Sequence, residues 1–207
     1  MEKKAASAYG KYRHIRNAAW QCLLDCGIDS LPVQISAIAE HFGIGIYAYG
    51  PNLDLICRSG LEPLLDAMGF AYADPSGRLM IFFNEKTSRQ QIRFTIAHEL
   101  GHILLGHVGA DTPQGRLLNP TVEKLEEAAD RFAVRLLAPA CVLWAKDAYT
   151  AEEIEAVCDL SPEYAEKRAK RMKTLRKKNA WLTSDLEKKL YRQLGLPERP
   201  EERRDGG

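Results

Sequence analysis

The chain has 207 residues, a net charge of +1, 45% hydrophobic residues and 28% charged residues. That length suits one compact domain with an appendage, or two small domains, and is enough to bury a sizeable core. The near-neutral balance gives no case for bulk attachment to nucleic acid or acidic membranes, and no apolar run approaches the roughly 18 residues a membrane-spanning helix needs.

The first stretch, "MEKKAASAYGKYRHIRNAAW", is polar and lacks the apolar centre of a signal peptide. Cys22, Cys26, Cys57, Cys141 and Cys158 form an odd, irregularly spaced set. They are read as reduced thiols of a cytoplasmic protein. Cys22 and Cys26 lie four apart on an expected helix and could share a metal, but two small buried residues are the simpler reading.

In chain order, residues 7–26 are expected to form a first helix, with Ala18, Ala19, Cys22, Leu23 and Cys26 near one face. "SLPVQISAIAEHFGI" predicts a second helix, opened by Pro32 and ended by Gly43, with Ile35, Ile38, Ala39 and Phe42 at helical spacing. "IGIYAYG" reads as a strand. No element is assigned over 50–66. "MGFAYADPSGRLMIFFN" predicts a hairpin turning at Asp74-Pro75-Ser76-Gly77.

Ser88, with Gln91 three residues on, resembles a capping box. A long helix is therefore expected over about 88–106, stopped by Gly106 and Gly109. "ADTPQGRLLNP" reads as a loop and 121–138 as a second long helix ending before Pro139. A short helix, a turn at 159–161, a longer basic helix and an amphipathic helix over 183–194 follow. "LPERPEERRDGG" is rich in Pro and charge and reads as a disordered tail.

Chemistry concentrates in "TIAHELGHILLGH", residues 95–107. Residues four apart on a helix share a face, so His98 and His102 aim at a common point. Glu99 lies about 100° around the helix from His98, where its carboxylate flanks that point without filling it. Two neutral imidazoles to hold a zinc ion, beside a carboxylate to take a proton from water, suit peptide hydrolysis.

A catalytic zinc usually takes a third protein ligand. The candidates are Glu126, Glu127 and His107. Five residues beyond His102, His107 leaves the shared face unless the chain reverses at Gly106. Glu126 is favoured, because Asp130 lies one turn later and the apolar stripe Leu125, Ala129, Phe132, Ala133 and Leu136 places it near the core edge. Asp130 could then orient a ligating histidine through its free ring nitrogen.

"RFTIAHELGHILLGH" followed by "EEAADRFAVRLLAP" resembles the ImmA/IrrE-like metallopeptidase family of bacteria and their mobile elements. "LPVQISAIAEHFGIGI" is similar to that family's leading helix and strand, so the resemblance covers roughly residues 30–140. It implies metal ligands at His98, His102 and Glu126 and a catalytic glutamate at Glu99. The family usually carries asparagine where this chain has Asp130.

The resemblance also implies an α+β, zincin-like fold of the thermolysin type. A small, twisted, mostly antiparallel sheet would pack on the motif helix and a second ligand helix, followed by a helical C-terminal extension. It implies one catalytic Zn2+ and a limited cut in a helix-turn-helix repressor of the Xre type, relieving repression of mobile-element or stress genes. The alternative is a metal-stabilised antirepressor that sequesters its partner without cutting it.

Residues 1–148 are expected to form the metallopeptidase domain, 149–194 the basic helical extension and 195–207 the tail. A strand of the hairpin could present an edge to an extended peptide, with Tyr72, Arg93 and His107 as candidate cleft residues. The basic run from Lys167 to Lys178 admits three readings: a helix-turn-helix DNA reader, a dock for an acidic protein, or a solvated helix face. The near-neutral total disfavours direct DNA binding. "LSPEYAEKR" is similar to the family's segment after its metal helices, which favours a packing or substrate-positioning role.

Overall fold

The computed structural model describes residues 15–108 and 122–197. The expectations for 7–14, for the loop over 110–120 and for the tail beyond 197 lie outside the described residues. Two helices come first, α1 (Ile15–Asp25) and α2 (Ile35–His41). Strand β1 (Gly45–Ala48) follows, and then helix α3 (Leu53–Arg58) between two short 3-10 turns, in the stretch that had no assigned element. Strands β2 (Gly69–Ala73) and β3 (Leu79–Phe83) form the expected hairpin. Asp74 closes its turn by accepting the backbone N–H groups of Ser76 and Arg78, both at 2.9 Å.

The sheet is small, with strand order β1-β3-β2. It is mixed where a mostly antiparallel sheet was expected: β2 pairs antiparallel with β3, and β1 pairs parallel with it. A parallel pair needs a long crossover, and the segment carrying α3 and β2 supplies it. Successive side chains of β3 point to opposite faces. Leu79 and Ile81 enter the main core, while Met80 and Phe82 enter a smaller cluster with Tyr49, Ile56, Leu61 and Phe70. Burial on both faces is why "LMIFF" lacks polar alternation.

Helix α4 (Arg89–Leu105) begins where Ser88 Oγ accepts the Gln91 N–H at 3.1 Å. It ends at Gly106, whose φ of 84° favours a residue without a Cβ. This helix packs against both the β2–β3 hairpin and α5 (Val122–Leu137). Phe94, Ile96, Ala97, Leu100, Ile103 and Leu104 are all buried, so α4 is apolar around most of its circumference, as a central helix must be. Helix α5 has one buried face, made by Ala129, Phe132, Ala133 and Leu136.

Helices α6 (Ala140–Ala145), α7 (Ala151–Cys158), α8 (Pro162–Lys177) and α9 (Asp185–Gln193) complete the described chain. One core runs from Ala18 of α1 through α4 and α5 to Met172 of α8 and Tyr191 of α9. Residues of the expected peptidase segment and of the expected extension therefore share one apolar interior. The basic helix α8 is not a uniformly solvated face: Ala165, Arg168, Ala169 and Met172 are buried. Lys167 and Lys170 on its outside are engaged by Glu163 and Glu166, at 2.6 and 3.0 Å.

Candidate metal centre

Helix α4 carries His98, Glu99 and His102, and α5 carries Glu126 and Asp130. The two helices approach closely because Gly101 sits between the histidine turns. A Cβ there would lie 3.2 Å from the Cα of Ala129 and 3.2 Å from Cδ1 of Phe132. That closeness lets a carboxylate of α5 reach imidazoles of α4.

The Nε2 atoms of His98 and His102 are 2.9 Å apart. Glu126 Oε2 lies 3.0 Å from His98 Nε2, and Glu126 Oε1 lies 3.3 Å from His102 Nε2. One donor atom from each of the three residues falls within 4.8 Å of the others. Two imidazole nitrogens and a carboxylate oxygen converging on one point form a donor set that fits a divalent cation. Among the described residues this is the one such grouping of three or more His, Cys, Asp or Glu.

The outer nitrogens are also engaged. Asp130 Oδ1 lies 2.8 Å from His98 Nδ1, which turns Nε2 toward Glu126. His107 Nδ1 lies 3.2 Å from His102 Nδ1, with the two rings edge to face at 5.2 Å. His107 reaches this place because the chain reverses at Gly106, its own N–H donating to the His102 carbonyl at 2.8 Å. It lies behind the donor cluster and outside it. Glu127 points away and pairs with Arg131 at 2.7 Å.

Burial grades across the site. His102 is 1% exposed and Glu99 5% exposed, while the side chains of Glu126 and Asp130 are 45% and 48% exposed. The centre thus has a buried floor on α4 and an open rim on α5. Burial opposes the charged form of His98, but hydrogen bonds with Asp130 and Glu126 prevail and raise its pKa to about 9. Hydrogen bonds with His102, and then with His98, hold the Glu126 carboxyl well below the usual carboxylate range.

The candidate cleft residues separate. Tyr72 packs against the smaller cluster on the far face of the sheet. Arg93 is taken up by structure: its Nε lies 3.2 Å from Asp159 Oδ2, its Nη2 donates to the Val33 carbonyl at 3.2 Å, and its side chain is 14% exposed. It ties α4 to the turn before α8 and is not an open cleft group. Cys22 is buried, Cys26 is half-buried, and among the described residues neither joins a grouping of three or more potential metal ligands.

Two tyrosines, Tyr164 beside the centre and Tyr49 in the smaller cluster, were not among the candidate residues. Tyr164 of α8 stacks on Phe94 at 3.3 Å between ring centroids, and burial and the Asp130 charge push its phenol up. Burial, followed by the Glu99 charge, raises the Tyr49 phenol likewise. Tyr164 belongs to "LSPEYAEKR", the segment read as having a packing or substrate-positioning role, while Tyr49 carries no local signal because its element is remote in sequence from the motif helix.

Residues 61–170, more than half of the chain, match the model of the Peptidase M78 family, the IrrE N-terminal-like domain. The chain belongs to this family. The IrrE-like match starts later than the resemblance read from the residues and extends further, through most of α8. No curated protein matches the chain. Membership of this IrrE-like family supports a peptidase, and the three donor residues support a bound metal. Among the described residues no helix is long and apolar enough to cross a membrane.

Proposed function

We propose that this IrrE-like chain is a zinc-dependent endopeptidase making a limited cut in a cytoplasmic regulatory protein, a helix-turn-helix repressor of the Xre type. The observation that carries the peptidase reading is the convergence of His98, His102 and Glu126 within 4.8 Å, with Glu99 on the same helix. The repressor as substrate rests on the resemblance in the motif residues.

His98, His102 and Glu126 would hold a zinc ion, which would act as a Lewis acid and lower the pKa of a bound water. His98 and His102 present their Nε2 atoms, and Asp130 and His107 hold the opposite nitrogens so that the rings do not turn. Glu99 takes the proton of the attacking water on its carboxylate and delivers it to the leaving amine. Its burial excludes competing solvent from that oxygen.

Strand β2 ends the sheet order, and among the described residues it pairs with β3 alone. A Cβ on Gly69, at the start of β2, would meet the Thr95 methyl and come within 3.7 Å of Glu99 Cγ. The strand edge therefore begins beside the general base. An extended substrate segment added to that edge would have its backbone fixed by main-chain hydrogen bonds.

The test uses purified wild type and Glu99→Gln with a panel of helix-turn-helix repressors. The expected result is one discrete cleavage by wild type, and none by Glu99→Gln despite an unchanged metal content. Stable binding of a repressor, without cleavage by metal-loaded wild type, would replace the peptidase reading with sequestration.

A further inference from the structure

The junction of α1, α5, α8 and α9 holds a cavity of about 300 Å³ walled by Arg16, Trp20, Arg135, Arg168, Arg171 and Glu187. Four guanidinium groups face one carboxylate in a chain whose total charge is +1. Concentrating positive charge in a partly buried hollow is unfavourable unless something of opposite sign compensates it.

The described residues do not supply that compensation. Arg168 is 4% exposed, and its Nε and Nη2 are buried without a hydrogen-bond partner. Trp20 Nε1 on the same wall is also buried without a partner. Arg135 donates to the Arg131 carbonyl and Arg16 donates to Asn17, both neutral acceptors. Glu187 spends one carboxylate oxygen on the Thr183 N–H at 3.0 Å, and burial raises its pKa toward the neutral form. Burial, followed by the neighbouring Arg135 charge, pushes the Arg168 guanidinium down to about 10. Arg135 is shifted the same way, by burial and then by Arg131, Arg171 and Arg16.

We infer that this cavity binds a small phosphate-bearing anion, held by the buried Arg168 guanidinium and the Trp20 N–H and enclosed by Arg16, Arg135 and Arg171. Guanidinium forks match tetrahedral oxyanions, and unpartnered buried donors are what such a ligand satisfies. The depth of Arg168 favours a small ligand over a macromolecular surface, and a volume near 300 Å³ lies at the small end of ligand pockets. An adjoining hollow shares Arg135, Arg168 and Arg171 and reaches Asp130 and Tyr164. The anion would therefore sit against α5, the helix that carries Glu126 and Asp130. This inference does not depend on the peptidase reading.

Calorimetric titration of the metal-loaded full chain with inorganic phosphate, AMP and adenosine at physiological ionic strength tests it. Saturable binding of phosphate and AMP, and none of adenosine, is expected. Equal affinities would identify the free ion as the ligand, and much tighter AMP binding would identify a nucleotide. Arg171→Gln, at an exposed position, removes one charge without entering the core and should weaken binding roughly tenfold or more. Arg168→Gln, checked for fold by circular dichroism, should abolish binding. Glu126→Ala should leave it intact, which separates this cavity from the metal centre. Absence of binding by wild type, binding unchanged in both arginine variants, or binding lost in Glu126→Ala would overturn the assignment.

Discussion

Asp130 and His98 are joined across the α4–α5 interface by a 2.8 Å contact from Oδ1 to Nδ1. Glu126, one turn earlier on α5, meets the other nitrogen of the same ring at 3.0 Å. One helix therefore supplies both a candidate metal ligand and the group that orients its neighbour. Removing such an orienting group typically costs about 10–100-fold in metal affinity. Asp130→Ala is expected to lose affinity in that range. Asp130→Asn, which restores a carbonyl oxygen to accept the Nδ1 proton, should retain most of it. Competition against a chromophoric chelator measures both.

Gly101 sets the distance between the two helices. Its substitution by alanine places a Cβ 3.3 Å from the Ala129 carbonyl as well as against Phe132. Overpacking of this kind costs about 1–3 kcal/mol. Gly101→Ala should lower the denaturant midpoint by a corresponding amount. It should also weaken metal binding, because Glu126 moves away with α5. Unchanged metal affinity in a destabilised variant would show that α5 adjusts without carrying Glu126 off the site.

Metal affinity should depend steeply on pH. His98 is raised to about 9 in the metal-free centre, and a ligating imidazole must give up its proton. Apparent affinity is expected to rise by up to about tenfold per pH unit on approaching 9 and to level off above it. Titrations at neutral pH in buffers of different ionisation heat should show proton release on binding. For the metal-free chain the sign runs the other way. A raised folded-state pKa contributes stability that is complete below about 6.5 and lost as pH rises through about 9.

Arg93 distinguishes a structural tie from a cleft residue. Arg93→Leu leaves Asp159 with Arg89, at 2.7 Å, as its remaining cation. The expected cost is about 1–3 kcal/mol, less than the loss of a sole buried partner. Once a cleaved substrate is in hand, KM should stay within about twofold of wild type. A large rise in KM with unchanged stability would restore Arg93 to the cleft.

The sequence by itself determined the motif helix, its start at Ser88 and its stop at Gly106, because capping and left-handed termination depend on a few adjacent residues. It also placed His98, Glu99 and His102 relative to one another, since residues one and four apart on a helix have fixed relations. The hairpin turn at Asp74 was legible for the same local reason.

Only the tertiary structure decided which acid faces the histidines. Glu126 and Glu127 are adjacent in the chain, and the packing of α5 on α4 at Gly101 turned the first inward and left the second to Arg131. The chain reversal at Gly106 brought His107 behind His102, and the approach of the turn before α8 to α4 joined Arg93 to Asp159. The parallel partner of β3, the approach of Tyr164 to Phe94 and the arginine-lined cavity also join elements far apart in sequence. Such contacts are set by how apolar faces fill one interior, and no local pattern of residues encodes them.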